Sequence, residues 1–126
     1  MSVIGIGTDI VEVSRIEHSL ERFGERFLHR VFTEGEITYC NSMKFPARHF
    51  AARFAAKEAA SKAFGTGIGQ PMGWKDVDVR KRPSGAPFVV LSGGAEEMAR
   101  QRGVSSALIT LSHTDHHALA TVVLES

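Results

Sequence analysis

An aspartate is the one ionisable residue in Gly5-Ile6-Gly7-Thr8-Asp9-Ile10-Val11. A glutamate and a lysine, Glu58 and Lys62, lie four residues apart in Arg53-Phe54-Ala55-Ala56-Lys57-Glu58-Ala59-Ala60-Ser61-Lys62-Ala63-Phe64. An unpaired buried carboxylate costs several kcal/mol, roughly, so Asp9 needs a salt bridge, a helix to cap, a bound cation or a place at the surface. Residues four apart on a helix are neighbours, and Glu58 with Lys62 could do no more than stabilise it by about 0.2–0.5 kcal/mol. Their company suggests more, because Glu58, Ser61 and Lys62 make a small polar face on a helix whose other positions are mostly alanine and phenylalanine. If the fold brings Asp9 to Glu58, two carboxylates form a half-filled, all-oxygen cation site with an ammonium beside it. Magnesium usually takes one or two protein carboxylates and leaves the rest to phosphates and water. Zinc would want more nitrogen or sulfur donors. The chemistry implied is that of a phosphoanhydride with a hard dication as its electrostatic centre.

Three other groups are candidates for binding. The run Gly65-Thr66-Gly67-Ile68-Gly69 follows a helix instead of a strand, so it is neither a dinucleotide fingerprint nor a P-loop, but glycines there let backbone approach a bulky anion closely. It also reads as an ordinary helix cap and loop. Ser112-His113-Thr114 at a strand end offers donors for phosphate oxygens, or is a plain polar turn. His113, His116 and His117 lack a spacing typical of zinc, and Ser112, His113 and Asp115 lack the nucleophile-elbow pattern of a hydrolytic triad. Arg15 and Arg22, two turns apart with Arg26 beyond, lie opposite an apolar stripe. They are a solvated face or a docking strip for an acidic partner.

The elements that must position these groups are readable. Residues 3–13 are rich in Val and Ile and read as a strand. Ser14 and Glu17 have the spacing of a capping box, opening a helix that runs to Phe23 with Ile16, Leu20 and Phe23 inward and Gly24 as its stop. Phe27, Leu28 and Val31 suggest a further helical turn. Thr33 and Glu36 repeat the capping-box pattern before a short helix that should turn Ile37 and Tyr39 inward. The alanine-rich segment 46–64 is the clearest helix, with Pro46 in its first turn and Gly65 at its end. Strands are expected over 76–81 and 87–92 about the turn Arg82-Pro83-Ser84-Gly85, a helix over 94–102, and strands over 106–112 and 118–124 joined by a polar turn. The expected class is α+β, an antiparallel sheet packed against the long helix.

The 126 residues suit one domain, 1–126. A net charge of +1 gives no case for nucleic-acid binding. Cys40 is alone, so no intrachain disulfide or cysteine-based zinc cluster can form, and a reducing cytoplasm is expected. No long apolar run suggests a membrane span or leader.

Taken jointly, Gly5–Ile10, Arg53–Ala59 with Lys62–Gly67, and Ser112-His113-Thr114 resemble the holo-[acyl-carrier-protein] synthases, the small single-domain 4'-phosphopantetheinyl transferases of bacteria, over essentially the whole chain. The resemblance implies transfer of the phosphopantetheine arm of coenzyme A to a serine of apo acyl carrier protein. Adenosine 3',5'-bisphosphate is released, and the reaction serves fatty acid biosynthesis. It implies that Asp9 and Glu58 bind Mg2+ and that Lys62 meets the pyrophosphate. Arg53, Gly65, Gly67, Pro87, Ser112, His113 and Thr114 would contact coenzyme A, the turn at Pro83–Pro87 and the Ser112–Thr114 segment from a neighbouring subunit of a homotrimer. Arg15 and Arg22 would meet the acidic carrier. His117 departs from the aromatic residue frequent in relatives. The serine needs a proton acceptor, for which Glu58 is the candidate, directly or through a water on the metal. A magnesium-dependent anhydride hydrolase and a non-catalytic nucleotide-binding module remain as alternatives.

Overall fold

The computed structural model describes residues 1–126. Strand β1 (Val3–Glu12) runs without a loop into helix α1 (Val13–Phe23), followed by α2 (Glu25–Val31), α3 (Glu34–Asn41) and the long α4 (Pro46–Phe64). After a 3-10 turn at Trp74–Asp76 come β2 (Val77–Lys81), β3 (Pro87–Leu91), α5 (Gly93–Gln101), β4 (Ser106–His113) and β5 (His117–Glu125). The expected α+β class holds. The strands do not form one sheet, however: β1, β5 and β4 make an antiparallel sheet in that order, while β2 and β3 pair only with each other.

Helix α4 is the axle of the molecule. Its alanines are buried on nearly every side, as expected of a helix enclosed by other elements instead of lying at the surface. Small side chains let the sheet come close. A Cβ added at Gly7 would stand 2.0 Å from the Ala59 carbonyl oxygen, and one at Gly5 would stand 2.4 Å from that of Ala63. The sheet's inner face adds Val11, Ala118, Ala120, Val122 and Leu124 to the core. Its outer face leaves Ile6, Ile10, Leu108 and Leu119 exposed, Ile6 by 67%.

Two helix starts were predicted from capping boxes, and they fare differently. At α3 the box is present: the Thr33 hydroxyl accepts from Glu36 N–H and the Glu36 carboxylate accepts from Thr33 N–H. At α1 there is none. Val13 already begins the helix, buried in the core with its N–H donating to the His116 carbonyl at 2.8 Å, so Ser14 falls inside the first turn and faces solvent. Phe23, expected inward, is 48% exposed. Ile37 and Tyr39 are half-buried, and the fully buried positions of α3 are Glu36 and Cys40.

Glu36 has a second task that the sequence did not disclose. Its carboxylate pairs with the completely buried Lys57 ammonium at 2.9 Å and also accepts from Val79 N–H at 2.7 Å. Lys57 spends its remaining donors on the carbonyls of Trp74 at 3.0 Å and Val77 at 2.7 Å. Burial pulls the Lys57 pKa below its ordinary value, and the charge of Glu36 and its hydrogen bond oppose that shift. A buried charge is tolerable only when paired and fully hydrogen-bonded, as here.

Candidate active site

Asp9 lies on the inner face of β1, opposite Ala120 of β5, two residues beyond the Gly7 contact with α4. That register carries its carboxylate against the last turns of the helix. Lys62 Nζ donates to Asp9 Oδ1 at 2.9 Å and to the Thr8 carbonyl at 3.1 Å. Glu58 joins them. Burial raises its pKa, the negative charge of Asp9 raises it further, and Lys62 and then Arg15 oppose the rise. Asp9, Glu58, Lys62 and Arg15 thus share one electrostatic neighbourhood at the β1 edge of the sheet. Ser61 does not belong to the polar face expected of it, because it is buried and its hydroxyl donates to the Glu58 carbonyl at 2.7 Å.

The donor set fits magnesium. It consists of two carboxylates and no nitrogen or sulfur, and Glu58 engages no hydrogen-bond or ion-pair partner through its carboxylate. Such a pair suits a hard dication that takes its remaining oxygens from phosphate and water. Gly65 caps α4 in the left-handed conformation at φ 79°, and Gly67 follows at φ 72°, so both lie just past Lys62.

A second concavity lies at the β4 edge. His49, Ala52, Arg53, Lys81, Gly85, Pro87, Thr110, Leu111 and His113 line a cavity of ≈ 210 Å³ where the two sheets part. Three residues expected to bind coenzyme A, Arg53, Pro87 and His113, therefore meet. Ser112 and Thr114 are not among the lining residues. Thr114 Oγ1 instead accepts from His116 N–H at 3.2 Å and His117 N–H at 3.1 Å, shaping the hairpin.

No acid lines this cavity. Arg53 is only 2% exposed, donates to the His49 carbonyl at 3.4 Å, lies 4.4 Å from the Tyr39 ring centroid, and has no partner for Nε. The His49 ring stands edge-on to His113 at 5.1 Å. Burial pushes its pKa down, as do the neighbouring charges of His113, Arg53, Lys81 and Arg48. Such a cavity attracts an anion. His49 and Lys81 were not anticipated. The available signal was that His49 stands one turn before Arg53, on the same helix face.

The acidic pair and the basic cavity lie on different sides of α4. His49 and Glu58, like Arg53 and Lys62, are nine residues apart, about two and a half turns, which turns each pair to opposing faces. The edges they adjoin, β1 and β4, are separated by β5, hence by about 10 Å.

Arg22, in the last turn of α1, lies 5.4 Å from the centroid of the exposed Phe23 ring, continuing the basic strip that begins at Arg15.

Comparison with known proteins agrees with this architecture. The chain is 48% identical over 123 residues to the holo-[acyl-carrier-protein] synthase of Koribacter versatilis, covering 98% of each. It is 46% identical to that of Vibrio parahaemolyticus, covering 100% of each. Among solved structures, the Neisseria meningitidis holo-[acyl-carrier-protein] synthase superposes with a TM-score of 0.91 at 32% identity, covering 99% of this chain and 100% of that one. The Helicobacter pylori enzyme in complex with coenzyme A gives 0.85 at 36% identity, covering 95% and 99%. The sequence model of the 4'-phosphopantetheinyl transferase superfamily matches residues 5–122, and with these relatives spanning its full length the chain belongs to that family.

Proposed function

We propose that residues 1–126 form one transferase domain with holo-[acyl-carrier-protein] synthase activity, moving the 4'-phosphopantetheine group of coenzyme A to a serine of apo acyl carrier protein. The observation that carries this reading is the meeting of Asp9 with Glu58 and Lys62 at the β1 edge. Asp9 and Glu58 would hold Mg2+, which when bound neutralises charge on the pyrophosphate.

The remaining chemistry belongs to the chain. Lys62 Nζ stabilises the phosphate oxygens, chiefly those of the departing nucleotide. The serine hydroxyl oxygen forms a bond to the phosphorus nearer pantetheine as the anhydride P–O bond breaks, and adenosine 3',5'-bisphosphate leaves with the electron pair. Glu58 is the candidate to take the serine proton, and a carboxylate raised above its ordinary pKa is better matched to that task. Positioning and fixed charge supply most of the acceleration in such transfers.

The acid-free cavity around Arg53, Lys81, His49 and His113 would take the donor's nucleotide end, with Pro87 on its wall. Because that cavity and the acidic pair lie on different sides of α4, one coenzyme A engages both only across a subunit contact. A homotrimer, joined through the exposed apolar face around Ile6, Ile10, Leu108 and Leu119, meets that requirement. Arg15 and Arg22 would dock the acidic carrier beside Glu58. The lone, buried Cys40 suits the cytoplasm, and no helix is long and apolar enough to cross a membrane.

The test is intact-mass spectrometry of apo acyl carrier protein incubated with this protein, coenzyme A and magnesium. The carrier should gain one phosphopantetheine group while adenosine 3',5'-bisphosphate appears. Cleaved coenzyme A with an unmodified carrier would make the protein a hydrolase. No turnover, with ligand binding that survives Glu58→Ala, would make it a binding module.

A further inference from the structure

Two cations stand one turn apart on the inner side of α4, Arg53 and Lys57, and only one of them has a carboxylate. Both acids nearby are spoken for. Glu36 is bound by Lys57 and by the N–H groups of Thr33 and Val79. Asp78 accepts from the Thr33 hydroxyl and from Arg80 Nε, each at 2.8 Å. Arg53, Lys57 and Glu36 form one buried cluster about Cys40. Its thiol is pushed up to about 12 by burial, with Arg53 and Lys57 pulling it down and Glu36 pushing it up. Arg53, buried as deeply as its neighbour, keeps only a carbonyl and the face of Tyr39.

We propose that Lys57 is a positioning residue for donor binding: by holding Glu36 to itself, it keeps the Arg53 guanidinium free to meet the anionic end of coenzyme A in the basic cavity. A buried carboxylate deprived of Lys57 would seek the next cation, and Arg53 stands one turn away. A guanidinium neutralised in that way no longer attracts phosphate. The inference rests on the functional reading of the cavity given above.

Coenzyme A titrations of purified variants by calorimetry, with melting curves alongside, separate this role from that of a clamp. Lys57→Met should weaken coenzyme A binding about tenfold to a hundredfold, the effect expected for losing one charge-assisted phosphate contact. Glu36→Gln, which removes the competing charge, should bind coenzyme A as tightly as the parent or tighter even though it melts lower. The double variant Lys57→Met with Glu36→Gln should recover most of the lost affinity. A clamp predicts losses in the same direction for both single variants and no recovery in the double, and that result overturns the proposal. Should Lys57→Met fail to fold, Glu36→Gln decides alone: retained affinity supports the proposal, and weakened affinity overturns it. Arg53→Ala tells the two readings apart. Unchanged affinity there rejects the cavity as the donor site. Weakened affinity there, with same-sign losses at Lys57 and Glu36, rejects only the role of Lys57.

Discussion

Replacing Gly7 by alanine tests whether the proposed catalytic groups are set by a main-chain contact. The added Cβ would meet the Ala59 carbonyl oxygen at 2.0 Å, the Ala63 nitrogen at 2.6 Å and Lys62 Cβ at 3.0 Å. Two of these three are backbone atoms of α4, which cannot rotate away. Reaching ordinary contact at 3.4 Å therefore requires strand and helix to part by about 1.4 Å. Overpacking of this kind costs about 1–3 kcal/mol or more, equivalent to a fall in melting temperature of about 5–15 °C. The same separation moves Asp9, two residues along the strand, away from Glu58 and Lys62, and a misplacement of about 1 Å can cost about 100-fold in turnover. The assay is single-turnover transfer to apo carrier protein, measured well below the variant's melting point. Gly35→Ala is the control. Nothing lies within 4 Å of a Cβ there, and removing a helical glycine should add about 0.5 kcal/mol of stability without changing turnover. A Gly7→Ala protein that melts and turns over like the parent would refute the claim that this contact fixes the site.

Glu58→Gln should reduce turnover by orders of magnitude while stabilising the metal-free fold above the acid range. The sign follows from linkage: folding raises the Glu58 pKa, so the parent loses stability as pH rises from the ordinary value of 4.5 through the raised one, and the variant lacks that loss. Melting curves against pH in metal-free buffer test it, and a difference between the two proteins that stays flat across that window rejects it. Arg22→Glu should raise the KM for carrier protein several-fold and make it less salt-dependent, leaving coenzyme A binding unchanged; a change confined to coenzyme A would remove the docking role. Ile6→Glu, on the exposed sheet face, should yield monomers by light scattering and abolish transfer; an intact assembly would move the subunit contact elsewhere.

What the sequence disclosed was local. Asp9 stood out because a charge in an apolar strand needs a partner, and Glu58 with Lys62 stood out because helical spacing puts them on one face. The Thr33–Glu36 cap was legible for the same reason: its two partners are three residues apart. Partners distant along the chain left no such mark. Nothing near Lys57 announces Glu36, and the Ser14 cap failed because the Val13 contact to His116 is made by the far hairpin. The division of the strands into two sheets was hidden likewise, since β3 and β4 are separated by α5 and no turn ties their pairing. His49 was the exception, a helical neighbour of Arg53 that helical spacing alone could have flagged.

On the proposed function, one helix carries two working margins that look away from each other, so every centre of the assembly is a composite of adjacent copies. Two defective chains, one damaged at Glu58 and the other at Arg53, would between them still build some centres with both margins sound. Damage on the same margin in both chains would leave none. In a cell holding two alleles, such faults would mask or expose one another according to the side of α4 on which they fall.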